Sequence, residues 1–502
     1  MLPRNGRFWN RGQCEGNAAG SLILTDINKD LLRELWPEDK VIAGRRVCRF
    51  LRRELLKVKS LVIRASTLPS HSSSWSILPK YEGSIEFYGM RLGGIVDSLI
   101  VPAVIEGWKG PSVLNLVDSH IKREGAESLS QALARCGGTI KRLELDGNYV
   151  GRMGISRLSV ALTHCRNLTF LSLGRNLIGD KGIGHLVSSL LFCPLQHLDL
   201  SINYIGAEGA AKLASVLPHL SMLEVLILFG NPLKDEGVEK ISKVLLQCFL
   251  LQRLDLSVNG IGAEGAGRLA LALPSCTRLR SLNLRGNALG DLGVKLLSWA
   301  TPQCLAMTEL DLSRNSITAD GASSLCRKLV PDVIVNLDLA GNFLGEEGAM
   351  ALALSLKSCT SLSRLELSRC RLGCQGIKRL IPLRHNQSLS HLGLGLNDIG
   401  DSGVEALLPC LSDMHCLKWL DLCGNGITDQ GASLLCSQFT SLLSLETLNL
   451  GGNNFSLAGV DKLRKAAKEA RSLRTLIIGS EGNWDEGSGL LSVALPCGIL
   501  RW

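Results

Sequence analysis

Acidic and arginine side chains recur at regular places along this 502-residue chain. They stand a fixed number of residues before the last position of the pattern Leu-x-Leu-x-x-Asn. A carboxylate accepts hydrogen bonds and a guanidinium donates a fork of them, so such rows can hold the polar groups of a bound molecule or pair with each other. The acids four positions before the asparagine are Glu144, Asp199, Asp255, Asp311, Asp338, Glu366 and Asp421. The arginines one, two or six positions before it are Arg142, Arg175, Arg253, Arg285, Arg314, Arg364 and Arg369.

Aromatic side chains at the same places are few, namely Phe170 and Trp419 six positions before the asparagine and Phe229 two before it. Aromatic and arginine residues supply much of the binding energy at protein interfaces, so the sequence predicts a face that binds a protein partner. The predicted partner-binding residues are Arg142, Glu144, Phe170, Arg175, Asp199, Phe229, Arg253, Asp255, Arg285, Asp311, Asp338, Trp419 and Asp421. In the competing interpretation, the acids and arginines only pair with each other along a sheet, where exposed ion pairs contribute little.

The repeat that positions these side chains indicates the fold class. It recurs about every 28 residues, a period typical of stacked repeat proteins. The asparagine position is held by Asn148, Asn176, Asn203, Asn231, Asn259, Asn287, Asn315, Asn342, Asn397, Asn425 and Asn453. Ser119, Cys370 and Glu481 stand in that position in three further units. An asparagine amide can both donate to and accept from neighbouring backbone, so we expect a structural ladder of asparagines.

Each repeat contains the pattern of a strand followed by that of a helix. The two leucines alternate with polar residues at strand spacing, as Leu143 and Leu145 do. A glycine six residues after the asparagine, such as Gly209, opens a segment with apolar residues at helical spacing, and this glycine predicts positive φ or close approach of the next unit. One unit cannot bury its apolar face alone. We therefore predict an α/β fold, a curved solenoid with an inner parallel sheet and outer helices.

The repeat resembles a known family. Residues 195–217, LQHLDLSINYIGAEGAAKLASVL, are similar to the ribonuclease-inhibitor type of leucine-rich repeat. The resemblance covers residues 111–496 and implies the horseshoe fold. Its functional implications are several, because ribonuclease inhibitors, NLR immune proteins and Ran GTPase-activating proteins share this repeat.

Residues 23–59 lack the repeat and show helical spacing of apolar residues. Their order resembles an F-box, the helical motif that docks a substrate receptor onto the Skp-type adaptor of a cullin ubiquitin ligase. Thr25 stands where that family usually has proline, and Phe50 where it more often has tryptophan. The alternative is a helical cap over the first strand of the solenoid. By the resemblance, the adaptor-binding residues are Leu24, Leu31, Leu35, Pro37, Val41, Val47 and Phe50.

The chain thus divides into four parts. We predict a disordered tail over residues 1–22, F-box-like or capping helices over 23–59, degenerate first repeats with a serine-rich loop over 60–110, and the solenoid with a C-terminal cap over 111–502. The formal net charge of +9 comes mostly from the segment before the repeats, which argues against nucleic acid as a partner of the solenoid.

Sequence motifs for catalysis are missing. The chain has no Gly-x-x-x-x-Gly-Lys-Ser/Thr loop, no Gly-x-Ser-x-Gly and no His-Glu-x-x-His. We expect no enzyme, no cofactor and no metal site, since no Cys-x-x-Cys pair has a matching second half. The odd number of cysteines, 17, and the missing apolar signal segment favour a reducing compartment, the cytoplasm or the nucleus. No apolar run reaches the ~18 residues that span a bilayer.

The sequence therefore predicts a protein-binding scaffold, and the F-box-like segment extends this to a substrate receptor of a cullin-type ubiquitin ligase. The alternative functions are a Ran-type GTPase-activating protein, or an NLR-like regulatory protein without the nucleotide-binding domain. Against the GTPase activator stand the extra N-terminal segment and the missing acidic C-terminal tail.

Overall fold

The computed structural model describes residues 112–479 except 331, 358 and 441, together with five strands outside that range. The chain divides into two compact units, unit 1 (Met1–Pro232) and unit 2 (Leu233–Trp502). The strands of unit 1 are β1 (Gly16–Asn17), β2 (Ser21–Thr25), β3 (Ser60–Arg64), β4 (Ser84–Tyr88), β5 (Val113–Asn115), β6 (Arg142–Glu144), β7 (Phe170–Ser172), β8 (His197–Asp199) and β9 (Val225–Ile227). Its helices are α1 (Lys122–Cys136), α2 (Gly151–Leu162), α3 (Gly179–Leu190) and α4 (Ala207–Ala214).

Unit 2 repeats the same order of strand and helix. Its strands are β10 (Arg253–Asp255), β11 (Ser281–Asn283), β12 (Glu309–Asp311), β13 (Asn336–Asp338), β14 (Arg364–Glu366), β15 (His391–Gly393), β16 (Trp419–Asp421), β17 (Thr447–Asn449), β18 (Thr475–Ile477) and β19 (Ser492–Ala494). Its helices are α5 (Lys234–Leu245), α6 (Ala263–Ala272), α7 (Gly290–Ala300), α8 (Ala319–Cys326), α9 (Gly345–Leu356), α10 (Gly373–Leu380), α11 (Gly400–Asp413), α12 (Asp429–Gln438) and α13 (Leu457–Glu469).

Consecutive strands from β2 to β9 in unit 1 and from β10 to β18 in unit 2 pair in parallel and in register, as β6 does with β7, whereas β1 and β19 pair antiparallel with β2 and β18. The central leucine of one strand lies beside that of the next, so Leu143 is paired with Leu171, and both are fully buried. The residues on either side of the central leucine point to the opposite, solvent-facing side because side chains alternate along a strand. We call that side the open face of the unit. The predicted α/β leucine-rich architecture of stacked strands and helices is confirmed.

The regularly spaced asparagines form the predicted ladder between neighbouring repeats. Asn176 Nδ2 donates to the carbonyls of Leu145 at 2.8 Å and Leu173 at 3.0 Å. Asn203 Oδ1 accepts from the backbone N–H groups of Asn176 at 2.9 Å and Ile178 at 3.3 Å. Each amide thus satisfies buried backbone groups of two repeats, which would otherwise cost free energy.

The glycine that follows the ladder permits close packing and does not adopt positive φ. Gly182 lies inside helix α3, and a Cβ there would stand 2.6 Å from Ile178 Cγ2 and 3.1 Å from Ile155 Cγ2 of the preceding repeat. Of the two expectations for this glycine, close approach is therefore correct. The positive φ falls three residues earlier, at Gly179 with φ +61°.

Helix starts are linked from repeat to repeat, a feature that the sequence pattern did not predict. Asp291 Oδ1 accepts from the N–H groups of Thr318 at 2.8 Å and Gly321 at 3.0 Å, at the start of α8 in the next repeat. Asp180 does the same for Gly206 and Gly209 at the start of α4. An acid at a helix N-terminus satisfies free N–H groups and complements the helix dipole. These aspartates therefore join adjacent repeats on the helical side.

The N-terminal region differs from the sequence expectation where it is described. Strands β1 and β2 occupy parts of the segments predicted to be a tail and a helical motif, and β2 contains Leu24. β2 pairs in parallel with β3, which pairs with β4. A short apolar run such as SLILT cannot be assigned to helix or strand by periodicity alone, which explains the difference. The other residues of 23–59, and Glu481, lie outside the described part of the chain.

Candidate functional site

Three ring and guanidinium groups stack on the open face of unit 1. Arg142, Phe170 and His197 are the first residues of β6, β7 and β8, and the parallel register places them side by side. The guanidinium carbon of Arg142 lies 3.4 Å from the centroid of the Phe170 ring. The rings of Phe170 and His197 stack at a centroid distance of 4.0 Å and an interplanar angle of 14°. We call this arrangement the Arg–Phe–His stack.

The Arg–Phe–His stack is held by its neighbours. Arg142 Nε donates to Glu144 Oε1 at 2.5 Å, and Glu144 is the more buried of the two. A cation over an aromatic face and an ion pair both restrict the rotamers of Arg142. The sequence predicted Arg142, Glu144 and Phe170 as site residues, and the structure brings these three together.

Apolar residues continue this surface towards β9. Val225 is the register neighbour of His197, and Ile227 and Phe229 follow on the same side of the chain, all half-buried. The predicted site residue Asp199 accepts the N–H of Ser201 at 2.8 Å, so one of its oxygens is committed to the backbone. The open face of unit 1 is thus partly apolar, with charge concentrated at β6.

Arg175 forms an ion pair within its own chain. Its Nη2 lies 3.3 Å from Asp118 Oδ1, two repeats away, and both side chains are about half-exposed. The residue between them is Gly147, at φ +71°, where a Cβ would collide with the Asp118 carboxylate. The ion pair therefore forms across a glycine. Asp118 was not predicted as a site residue, although the glycine between two charges at equivalent positions was a signal for it.

Unit 2 carries a row of carboxylates on its open face. Each is the third residue of its strand, and the parallel register places Asp311, Asp338 and Glu366 on adjacent strands. Burial raises the pKa of Asp338 to about 6, with repulsion from Asp311 as a further cause. Burial raises the pKa of Glu366 to about 7, and nearby Arg364 partly offsets this. Burial also raises the pKa of Asp421 on β16.

Carboxylates of the open face accept hydrogen bonds from their own chain. Asp255 Oδ1 accepts the N–H of Ser257 at 3.0 Å and the Ser257 hydroxyl at 2.5 Å, and Asp311 binds Ser313 in the same way. The Asp-Leu-Ser sequence therefore has a structural use. Arg253, at the start of β10, is exposed, whereas Arg285 is half-buried and lies close enough to Asp338 to lower its pKa.

A second aromatic position lies on β15 and β16. The His391 ring stacks on Trp419 at a centroid distance of 6.1 Å and 29° between planes. Gly393, the last residue of β15, and Gly395, two residues later, carry no side chains on the open face, and the Glu366 carboxylate extends over Gly393 from β14. Trp419 is half-buried on the neighbouring strand.

The raised pKa of Glu366 predicts a pH dependence of stability. The carboxyl has an ordinary pKa of 4.5 when unfolded and about 7 when folded, so the native state binds more protons between these values and stability falls as the pH rises through this window. Glu366→Gln removes the titration. We expect it to stabilise unit 2 by on the order of 2 kcal/mol at pH 8 and to change little at pH 5.

Urea unfolding at the two pH values measures this effect. Glu347→Gln, at an exposed position in α9, is the control and should leave the pH dependence unchanged. Equal pH dependence in wild type and Glu366→Gln would show that Glu366 is not the titrating group.

Cys370 occupies a ladder position and makes some of the contacts that a ladder asparagine makes. Its Sγ contacts the carbonyl of Leu339 at 3.2 Å, where a ladder asparagine would place Nδ2, and its N–H donates to Asn397 Oδ1 at 2.9 Å. The thiol is fully buried, and burial raises its pKa to about 12. This interruption of the ladder is therefore structural. Among the described residues, no group of three or more His, Cys, Asp or Glu side chains is arranged to hold a metal ion.

Cys370→Asn should stabilise the protein, by about 1 kcal/mol, because an amide oxygen accepts from the backbone N–H groups of the preceding repeat more strongly than sulfur does. Thermal unfolding followed by circular dichroism would record a higher midpoint. Cys416→Asn is the matched control, since Cys416 is exposed, and should leave the midpoint unchanged. A lower midpoint for Cys370→Asn would mean that the pocket at this rung is too small for an amide.

The repeats match a known family. A family model described as "Leucine Rich repeat" matches nine segments, residues 164–186, 193–214, 219–242, 247–270, 275–298, 303–326, 385–408, 413–436 and 441–463. The ribonuclease inhibitor of Sus scrofa is 40% identical over 101 residues, which are 19% of this chain and 22% of the inhibitor. The chain contains leucine-rich repeats that are similar to those of the ribonuclease inhibitor.

Other relatives of this leucine-rich-repeat protein are much longer. The mouse "NACHT, LRR and PYD domains-containing protein 12" is 31% identical over 321 residues, 62% of this chain and 25% of that protein. The chain thus matches a quarter or less of the length of these curated relatives.

Among solved structures, an internalin of Listeria monocytogenes aligns with 18% identity over 90% of this leucine-rich-repeat chain and 97% of its own, with a TM-score of 0.42. The yeast Rad7 and Elc1 complex aligns with 18% identity over 72% of this chain and 88% of the other, with a TM-score of 0.47. No helix in the described part of the protein is long and apolar enough to cross a membrane.

Proposed function

We propose that this protein is a protein-binding scaffold and that a partner docks on the open sheet faces. The observation that carries the proposal is the Arg–Phe–His stack of unit 1. It presents a half-buried aromatic ring between a guanidinium and an imidazole, on strands rather than on a loop. Because neighbouring side chains already fix the Phe170 ring, a partner would lose little side-chain entropy there on binding. Trp419 provides a second aromatic contact on unit 2.

The test is partner capture with the full chain, followed by affinity measurement with the purified partner. Phe170→Ala should weaken binding by at least about tenfold, the loss expected for an aromatic hot spot. Phe192→Ala is the matched control, because Phe192 is an exposed phenylalanine after helix α3 and away from the strands. On unit 2, Trp419→Ala is compared with Trp299→Ala, which removes an exposed tryptophan of α7. Equal affinities for each matched pair would place the interface elsewhere.

The finer form of the proposal is a substrate receptor of a cullin-type ubiquitin ligase. Its support is the F-box-like residue order of 23–59, and the strand at Leu24 leaves Leu35 and Pro37 as the residues to test. Co-purification with a Skp-type adaptor should be lost in Leu35→Ala and retained in Leu292→Ala, which changes an exposed leucine of α7. An intact protein that binds no such adaptor would remove the ligase role and leave the scaffold proposal standing.

The alternative is an NLR-like regulatory protein without a nucleotide-binding domain, or a Ran-type GTPase-activating protein. The long relatives containing NACHT and LRR regions support the first of these. Stimulation of GTP hydrolysis by Ran at micromolar protein would support the second, and its absence would exclude it. Either function would still use the protein-binding face, in a compartment that we propose to be the cytoplasm.

A further inference from the structure

Two arginines of unit 2 stand at equivalent positions on either side of a glycine. Arg314 and Arg369 directly precede the ladder residue in the repeats of β12 and β14. Gly341 is the equivalent residue in the repeat between them, directly before Asn342. The backbone continues the sheet here, because Arg314 N–H donates to Ala340 O at 2.7 Å and Gly341 N–H to Ser368 O at 2.8 Å. Two strand spacings separate the arginine backbones, about 10 Å.

The missing side chain of Gly341 lets Arg314 reach towards Arg369. A Cβ built on Gly341, where φ is +70°, would lie 2.8 Å from Arg314 Cγ. The Arg314 side chain therefore crosses over the glycine in the direction of β14. Both arginines are exposed. We call these two residues the arginine pair.

Unit 1 has the same arrangement with opposite charges. Asp118 and Arg175 flank Gly147, and they form an ion pair at 3.3 Å across it. The backbone conformations match, with φ of 54° at Asp118 and Arg175 and 53° and 57° at Arg314 and Arg369. Among the described repeats, the equivalent residue of the preceding repeat also extends over Gly230, Gly286 and Gly424, and charged residues flank the glycine on both sides at Gly147 and Gly341. In unit 1 the flanking residues form an internal ion pair, whereas in unit 2 both flanking residues are arginines.

The charge of the arginine pair is not balanced by the neighbouring carboxylates. In the part of the chain that the structure describes, neither arginine forms an ion pair, whereas Arg364 on the same face pairs with Glu366 at 3.1 Å. Arg371, two residues after Arg369, lies over the ring of Phe343 at 4.5 Å and adds a third positive charge beside the pair. Phe343 is 44% exposed, so an apolar surface adjoins the charges.

We propose that the arginine pair binds a carboxylate of an acidic segment in a protein partner. This rests on the proposed protein-binding function and names the chemistry of one contact. Two guanidinium groups on either side of an anion can each donate paired hydrogen bonds, the arrangement in which arginine binds carboxylates best. The side chain of Glu or Asp would take the place that Asp118 holds beside Arg175 in unit 1.

The surroundings favour a protein over a nucleic acid as the source of the anion. Asp311, Asp338 and Glu366 lie on the strands that lead to the arginine pair. A continuous phosphate backbone would be repelled by such a row, since nucleic-acid binding relies on an extended positive surface. A short acidic segment needs only one local cation site, and the apolar Phe343 suits its neighbouring side chains.

Binding of a fluorescein-labelled deca-glutamate peptide to the full-length protein, followed by anisotropy at low salt, tests the proposal. Wild type should bind, and Arg314→Asp should weaken binding by about tenfold, as expected when a charge-assisted hydrogen-bond pair is lost. Arg314→Asp copies the Asp, Gly and Arg order of unit 1, so the new carboxylate should pair with Arg369 and the fold should be kept. Asp118→Arg, the reverse change in unit 1, should increase the affinity for the peptide.

Arg278→Asp is the control, because Arg278 is exposed before β11, at the opposite edge of the sheet. It should bind the peptide like wild type. No binding by wild type, or equal binding by Arg314→Asp, would overturn the proposal, and so would tighter binding of labelled deca-thymidylate that Arg314→Asp also weakens. Because the peptide assay needs no natural partner, its failure is distinguishable from a failure of Phe170→Ala to affect the natural complex.

Discussion

Leu256→Ala is expected to lower the free energy of unfolding by about 2–5 kcal/mol, the range for a leucine removed from a packed core. Leu256 directly follows β10 and is fully buried. Its N–H donates to Asn283 O at 2.9 Å, so the backbone is held in the sheet and cannot easily move to fill the space that the side chain leaves. The cavity therefore remains, and its surface adds to the lost transfer free energy of the leucine. Chemical denaturation followed by circular dichroism measures the effect.

Leu271→Ala is the matched control for this cavity. Leu271 lies in α6 of the same repeat and is 77% exposed. The same chemical change should alter the free energy of unfolding by less than about 0.5 kcal/mol, because no cavity forms at a surface. Similar losses for Leu256→Ala and Leu271→Ala would contradict the placement of the strand leucines in the core. In a repeat protein the loss can also appear as a separate early transition of unit 2, which the denaturation curve would resolve.

The positions predicted best from the sequence were those where one residue type has one use in every repeat. The strand leucines and the ladder asparagines recur with a constant period, and each does the same physical work in each repeat. Leu143 and Asn176 are examples, and the structure places both as the spacing predicted. Periodicity carries this information because stacking forces equivalent residues into equivalent surroundings.

Side-chain partners were predicted less well, because they depend on which residue occupies the same position in a neighbouring repeat. The sequence indicated that Arg175 lies on the binding face, but its partner Asp118 is 57 residues away. Likewise, Asp291 caps a helix that begins in the following repeat. Such contacts can be found by comparing residues at equivalent positions of neighbouring repeats. For Asp118 and Arg175, the informative residue was Gly147, which stands at the equivalent position of the repeat between them. The short apolar strand β2 was missed for another reason, since its run is too short to show a period.

The acids of the open face show why residue type alone did not identify their use. Asp255 and Asp311 look like recognition residues by type and position, yet each accepts hydrogen bonds from the serine two residues later. The side chains of Phe170 and Trp419 have no comparable role in holding the backbone. The anchors of the proposed interface therefore stand two residues before the acid position, where the residue type varies from repeat to repeat.

The second large effect is expected from the ladder. Asn342→Ala should lower the free energy of unfolding by about 2–4 kcal/mol, because buried polar groups would lose their partners at both ends of one side chain. Asn342 Nδ2 donates to the carbonyls of Leu312 at 3.0 Å and Leu339 at 2.8 Å. Its Oδ1 accepts from the N–H groups of Asn315 at 2.9 Å and Ile317 at 3.0 Å.

Asn454→Ala is the control for Asn342→Ala, because Asn454 is exposed one residue after a ladder position. Thermal and urea unfolding should leave it near wild type. Cys370, at the next ladder position after Asn342, sharpens the comparison, since the chain already has a thiol in place of an amide there. Asn342→Ala would leave two neighbouring ladder positions without an asparagine. It should therefore lower the free energy of unfolding more than Asn203→Ala does, because the ladder neighbours of Asn203 are both asparagines. Equal losses would mean that the rungs act independently and that the sulfur of Cys370 is as good an acceptor as an amide.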